Sequence, residues 1–451
     1  MNEMPVDSSV APRSSNLIER LFRLTERGAT PRVEFLAGLT SFVTAAYLVV
    51  VIPNTLATAH MDIAAVTTTT IAIFVCSTLA MALYARLPFV VGPGLGGAAL
   101  VASTLALTEG VPWQTGLAIA FWSGVVFFLL TVAGLREVVT RVVPAEIKVA
   151  LSASLGLFIA TLGFRNAGLI VVNPRANAYT LGNFAAPGAI VALIGLAVVV
   201  CLHIRRLPGA ILLAMLAATL VGIPLGVTKV PARVLALPGS VAPVLFQLDF
   251  WGALRPAFFP YLFAFFAAEF FSTMGTTLAV VGEANLLDEN GNMPGINGPF
   301  VVDSIAASIG PLFGVPSATA LIESAAGVEA GGRTGLASVF TAACFALMLF
   351  VSPLILMIPR EATSPALILV GLSMFSNLRK IDLKDFTNAL PALLAVLMTL
   401  YANNFGTGIA AGILCYVFTQ VLAGRARSVS VSLYILTVPL LYFFWTLATR
   451  H

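Results

Sequence analysis

Apolar stretches long enough to cross a bilayer recur along this chain, and that recurrence leaves few folds open to it. About 20 apolar residues span the hydrocarbon as a helix; such stretches fall at 33–52, 63–84, 115–133, 145–164, 187–204, 209–227, 257–281, 334–357, 386–402, 405–423 and 431–449. Four more are short or interrupted, at 89–107, 300–313, 317–330 and 364–378. With 59% apolar residues, 10% charged residues and a mean hydropathy of +0.98, the solvent of this chain is mostly lipid. The pattern predicts an all-α polytopic membrane protein of fourteen segments plus a C-terminal hydrophobic one, whose spanning or surface placement the sequence leaves open.

The charges set the topology. The net charge is +4, but the basic residues are spread along the chain, so no nucleic-acid surface is expected. With the N-terminus in the cytoplasm, most of the 24 Lys and Arg fall in cytoplasmic loops, as the positive-inside rule requires. That asymmetry holds only if the short segments cross as well. The first thirty residues lack the apolar core of a secretion signal and read as a cytoplasmic tail. Cys76, Cys201, Cys344 and Cys415 lie in apolar segments without CxxC spacing, and His60, His203 and His451 lie at segment ends or loops. Neither a metal site nor a disulfide framework is expected. HExxH, GxSxG and P-loop patterns are absent, and the glycine run at 92–97 has no soluble βαβ context for a dinucleotide.

Two features carry mechanism. The stretch VVGPGLGGAALVAST (90–104) breaks a helix with Gly92, Pro93, Gly94, Gly96 and Gly97, and PLFGVPSATALIESAA (311–326) repeats the arrangement with Pro311, Gly314 and Pro316. Freed backbone groups at membrane depth are tolerated only inside protein or beside a wet cavity. Paired breaks at the third segment of each seven-segment half predict a transporter site on an inverted repeat. Glu269 and Glu323 lie in otherwise apolar sequence, where a carboxylate is costly and faces a cavity, a partner or an ion path. Asp303 and Glu329 are read as structural acids near helix ends, paired with Arg or backbone at the interface.

FLAGLTSFVTAAYLVVVIPN (35–54), LPFVVGPGLGGAALVA (87–102), SLGLFIATLGFRNAGLIVVNP (154–174), LIESAAGVEAGGRTGL (321–336) and PALILVGLSMF (365–375) resemble the azaguanine-resistance type purine permeases. These form a branch of the nucleobase–ascorbate transporter superfamily, and the resemblance runs from about residue 20 to 425. It implies fourteen helices in two inverted seven-helix repeats, broken at the third and tenth. A core domain (33–135 and 257–357) then holds the site, and a gate domain (136–227 and 358–423) packs against it. An N-terminal tail (1–32), an extracytoplasmic loop (228–256) and a C-terminal hydrophobic segment (424–451) complete the chain.

The implied activity is proton-coupled uptake of a purine base across the inner membrane, driven by the proton gradient with no cofactor and no metal. Lipid surrounds the protein, and a homodimer through the gate domain is a further implication. The resemblance assigns base binding and proton linkage to Glu269, and acceptance of ring N–H groups to Glu323. Gly96, Gly97 and Ala98 mark the third-segment side of the pocket. The chain departs from the family pattern in having Glu269 and Ser272 where two aspartates are usual, and Ala98 where asparagine is common.

The residues ask for the same geometry. A purine needs carboxylate acceptors, backbone donors and an apolar or aromatic cover. Glu269, Glu323, Ser324, Ser272 and Thr44 supply polar candidates, and Phe265, Phe266 or Phe270 supplies a ring, with Phe266 taken as the lining one. Two carboxylates in one low-dielectric pocket do not both stay charged cheaply, so one holds a proton, and Glu269 is the candidate. The alternatives are a pyrimidine base, an anion on the same fold, or an intramembrane enzyme built on the two glutamates.

Overall fold

Prolines, glycines and polar caps decide where the apolar stretches become separate helices. The computed structural model describes residues 17–134, 144–173, 178–283 and 297–448; most of the acidic connector at 285–298 lies outside them. A short helix, α1 (Leu17–Phe22), comes first, with Phe22 and Leu24 packed on Leu336. Helix α2 (Pro31–Ala45) starts on Pro31, and the Thr30 hydroxyl accepts from the Val33 N–H. It passes through a tightened turn at Ala46 and Tyr47 into α3 (Leu48–Ala57). There Val49 N–H bonds the Ala46 carbonyl at 3.2 Å and Val50 N–H bonds that of Tyr47 at 3.1 Å. The expected stop at residue 52 gives way to a span reaching Ala57, because Pro53 is accommodated inside α3.

Helix α4 (Ile63–Ala80), capped by Asp62, ends in a π-helical turn (Met81–Ala85) that Arg86 closes at φ +57°. Strand β1 (Val91–Pro93) and α5 (Leu95–Ala99), which continues as π-helix to Thr108, form the interrupted third segment. Helices α6 (Trp113–Val132) and α7 (Ala145–Asn166) follow. A hairpin of β2 (Ile170–Asn173) and β3 (Ala178–Leu181), with Ile170 opposite Leu181, then leads to α8 (Pro187–Ile204) and α9 (Ala210–Gly222).

The second half runs α10 (Phe259–Glu283), α11 (Asn297–Leu312), β4 (Ala318–Ala320) and α12 (Ser324–Glu329). It continues through α13 (Gly335–Met348), α14 (Ser352–Leu356) and α15 (Arg360–Phe375) to α16 (Phe386–Tyr401) and α17 (Phe405–Leu422). The architecture is the predicted pair of seven-segment halves with broken third and tenth members, plus two small strand pairs.

Glycines let the halves approach closely. A Cβ on Gly124 of α6 would lie 2.7 Å from the Ala307 carbonyl carbon of α11, and one on Gly156 of α7 would lie 2.6 Å from the Gly371 oxygen of α15. Small residues at such crossings replace the hydrophobic drive that lipid removes. Large apolar side chains such as Leu129, Val132, Leu220 and Phe418 are exposed on the outside, as lipid contact requires. The C-terminal segment is helix α18 (Val431–Ala448), beside α17 and α10. Leu433, Leu440 and Phe443 are buried, whereas Val431, Ile435, Val438 and Leu441 are exposed, so both of its faces are apolar.

Candidate functional site at the crossing of two broken helices

The two interruptions meet inside the bundle. Strands β1 and β4 pair antiparallel, with Val91 opposite Ala320, Gly92 opposite Thr319 and Pro93 opposite Ala318. Each break thereby supplies partners for backbone groups the other has freed, which a lipid-like interior demands. Beyond the strands, Leu321 N–H donates to the Val90 carbonyl at 2.9 Å. The Thr78 hydroxyl accepts from Val91 N–H at 3.1 Å and donates to the Val91 carbonyl at 3.2 Å. Gly92 is required here, since a Cβ would enter the ring of Phe74. Gly97 sits where a Cβ would come 2.9 Å from that of Pro316.

Three carboxylates attach to the second break. Glu269, on α10 and buried, lies beside Thr319, the central residue of β4. Asp303, on α11 and wholly buried, accepts through Oδ2 from the Thr273 hydroxyl at 2.9 Å and from the Ala320 N–H at 2.9 Å. Its Oδ1 has no hydrogen-bond partner among the described residues. Glu323, just before α12 and half-buried, accepts through Oε1 from the hydroxyl of Tyr47 at 2.7 Å. Residues 319–323 therefore connect α10, α11 and the first segment.

Asp303 differs from the reading of it as an interfacial acid paired with Arg. It does bond backbone, but at the strand crossing, because α11 carries its midpoint past β4. Glu329 is exposed; its neighbour Arg333 donates to the Val328 carbonyl at 2.7 Å, at the C-terminal end of α12. Buried Glu34 meets the N–H groups of Arg333 at 2.8 Å and Ala337 at 3.0 Å, satisfying the start of α13.

The other candidates take varied places. The Ser324 hydroxyl is committed to the break, accepting from Val90 N–H at 2.9 Å and donating to the Leu321 carbonyl at 2.6 Å. Gly96 and Ala98 lie in α5, where a Cβ on Gly96 would meet Leu155 at 2.8 Å and the Ala98 side chain is fully buried. The Thr44 hydroxyl bonds back to the Thr40 carbonyl at 2.7 Å. Ser272 is exposed, while neighbouring Thr273 turns inward to Asp303; a shared face with Glu269 holds for Thr273 and not for Ser272. Phe266 stacks on Phe270 in a cluster with Phe127 and Phe300, so its ring is occupied away from the crossing. The ring that faces Gly97 is Phe265.

A polar cavity of about 290 Å³ abuts the first break, lined in part by Thr55, Thr58, Leu95, Ala99, Ser103 and Arg165. Beyond it, Asn404 Nδ2 donates to Glu109 Oε1 at 2.6 Å and to the Tyr261 hydroxyl at 2.8 Å, and Asn403 Nδ2 donates to the Thr108 hydroxyl at 3.0 Å. These bonds tie the end of the first broken segment to the α16–α17 turn. A larger groove of about 350 Å³ between α4 and α11 is almost wholly apolar. Among the described residues no group of three or more His, Cys, Asp or Glu could hold a metal ion.

Crossed discontinuous helices with acids gathered at the second break define a membrane transporter of the inverted-repeat class. The fold is shared with the transmembrane domain of a cyanobacterium bicarbonate transporter, BicA, at a TM-score of 0.64 and 14% identity, over 87% of this chain and 97% of that one. A family profile, Xan_ur_permease, described as a permease family, matches residues 32–410. The chain belongs to this family, the nucleobase–ascorbate transporters, and is a permease and not an enzyme. It is 35% identical to the adenine permease AdeP of Escherichia coli K12, over 92% of this chain and 93% of that protein. It is 33% identical to the guanine/hypoxanthine permease GhxP of Escherichia coli O157:H7, over 97% and 98%.

Proposed function

We propose that this permease carries purine nucleobases across the cell membrane together with protons, Glu323 accepting from the base and Glu269 holding the coupled proton. The observation that supports this reading is the convergence of both acids on one short stretch at the crossing, Glu269 beside Thr319 and Glu323 within it and bonded to Tyr47. A neutral heteroaromatic with N–H donors suits such acceptors, and Phe265 beside Gly97 supplies an apolar cover. The names of AdeP and GhxP support the substrate class. An anion is disfavoured at the second break despite the fold shared with BicA, since Glu269, Asp303 and Glu323 gather there, while Arg165 and Arg360 line the separate polar cavity at the first break.

A proton on Glu269 removes one charge from a pocket that also holds Asp303, which makes crossing of the loaded site cheaper. Segments 33–135 and 257–357 form the domain that carries the site, and 136–227 with 358–423 form the gate. Their relative motion parts the Asn403–Asn404 turn from Thr108 and Glu109 on one side of the site. The N-terminus is cytoplasmic, the membrane is the inner one, and two copies meet through their gate domains.

Uptake of radiolabelled adenine and hypoxanthine by cells lacking their own base permeases tests the reading. Accumulation blocked by unlabelled purines and by a protonophore supports it. Uptake indifferent to purines removes the substrate class, and uptake indifferent to the protonophore removes the coupling.

A further inference from the structure

The residue that reaches Glu323 comes from the other end of the sequence. Tyr47 is 1% exposed and lies at the tightened turn between α2 and α3, and its hydroxyl donates to Glu323 Oε1 across 276 positions of chain. Helix segments of 3₁₀ character inside a longer helix often mark functional hinges. Here the local i→i−3 bonds at Val49 and Val50 fix the backbone that aims the ring.

A glutamate side chain has three torsions, and an untethered carboxylate would present its oxygens in many directions. Glu323 is not untethered: one oxygen is held by a buried phenol, while the residue as a whole stays half-open. Neighbouring polar groups do not substitute for Tyr47, since Ser324 is spent on Val90 and Leu321.

We infer that Tyr47 is a positioning residue that sets the substrate selectivity of this permease, by pinning Glu323 Oε1 so that its other oxygen is presented to a single ring N–H of the base. This rests on the reading of Glu323 as the base acceptor. A carboxylate free to turn offers two oxygens side by side and suits an edge with two adjacent donors, as in guanine. A carboxylate half-occupied by a phenol suits an edge with one, as in hypoxanthine. Tyr47 therefore biases the site toward single-donor edges.

The test is Tyr47→Phe, which removes one oxygen and keeps the ring. Binding of radiolabelled hypoxanthine and guanine to purified protein is measured for the parent, Tyr47→Phe, Glu323→Gln and the double variant, with Glu323→Ala as control. The expected result is a rise of about tenfold in the hypoxanthine Kd, a smaller rise for guanine, and no added loss from Tyr47→Phe in the Glu323→Gln background. An unchanged Kd and base ranking would overturn the inference, as would an equal loss in both backgrounds, because the ring would then act elsewhere. If Tyr47→Phe yields no folded protein, infrared difference spectra of the parent decide. Base binding should perturb the tyrosine C–O stretch, and Glu323→Gln should abolish that signal; a signal that survives overturns the inference. Normal binding by Glu323→Ala overturns the base-site reading itself, whereas lost binding there with an indifferent Tyr47→Phe overturns only the role of Tyr47.

Discussion

The two breaks share a geometry and divide the chemistry. The first, from Val91 through α5, is glycine, proline and small apolar residues, and contributes backbone and close contacts: Gly92 on Phe74, Gly96 on Leu155, Gly97 on Pro316. The second, from Ala318 through α12, contributes Thr319, Glu323 and the Ala320 N–H, and draws in Glu269, Asp303 and Tyr47 from three other segments. An inverted repeat makes the strand crossing symmetric in backbone while leaving side chains free to diverge. In this chain one break supplies backbone and close packing to the crossing and the other supplies its polar side chains.

The comparison breaks most sharply at Glu323. Glu323→Ala should weaken base binding by at least about 100-fold, the upper range for a hydrogen bond to a charged group, as read in an equilibrium binding assay; intact affinity would return the site to the apolar break. On the other side, Gly92→Ala should lower the melting temperature of the detergent-purified protein without a selective effect among bases. The added Cβ must displace the Phe74 ring, and overpacking costs about 1–3 kcal/mol. A melting temperature equal to the parent's would show the first break to be looser than its contacts imply.

Asp303 separates charge from hydrogen bonding. Asp303→Asn keeps an acceptor for Thr273 and Ala320 and should hold affinity within about fivefold, whereas Asp303→Ala should lose about tenfold or more. Equal losses in the two variants would assign the effect to charge. Glu269→Gln should retain base binding yet lose accumulation driven by a pH gradient, and gradient-driven uptake by this variant would move the proton elsewhere, Asp303 being the nearest alternative. The smallest effect is expected from Thr108→Val, which loosens the Asn403 contact by about 1 kcal/mol or less and should change transport rate with binding unaltered; a changed Kd would connect the turn directly to the site.

Much of this was legible in the sequence. Apolar length located the segments, and the paired Gly/Pro runs located both breaks, because backbone groups freed at membrane depth must be buried in protein or beside a wet cavity. Glu269 and Glu323 stood out because a carboxylate in apolar sequence is costly. Tyr47 did not, since a tyrosine in an apolar helix is ordinary and its partner is 276 positions away. Asp303 is visible as an acid, but a segment starting at 300 puts it near a helix end, whereas α11 is already helical at Asn297 and carries Asp303 to the backbone of β4. Phe265 and Phe266 were indistinguishable without the phase of α10.

The amino-acid order by itself determined that this chain is a multi-pass membrane protein with two interrupted segments and two costly acids, because transfer of polar groups into lipid acts on each stretch locally. The tertiary structure decided which side chains share the crossing: Thr319 with Glu269, Ala320 with Asp303, Tyr47 with Glu323. Those pairings depend on helix rotation and strand register, which are set only when the halves pack and each freed backbone group finds its partner in the opposite break.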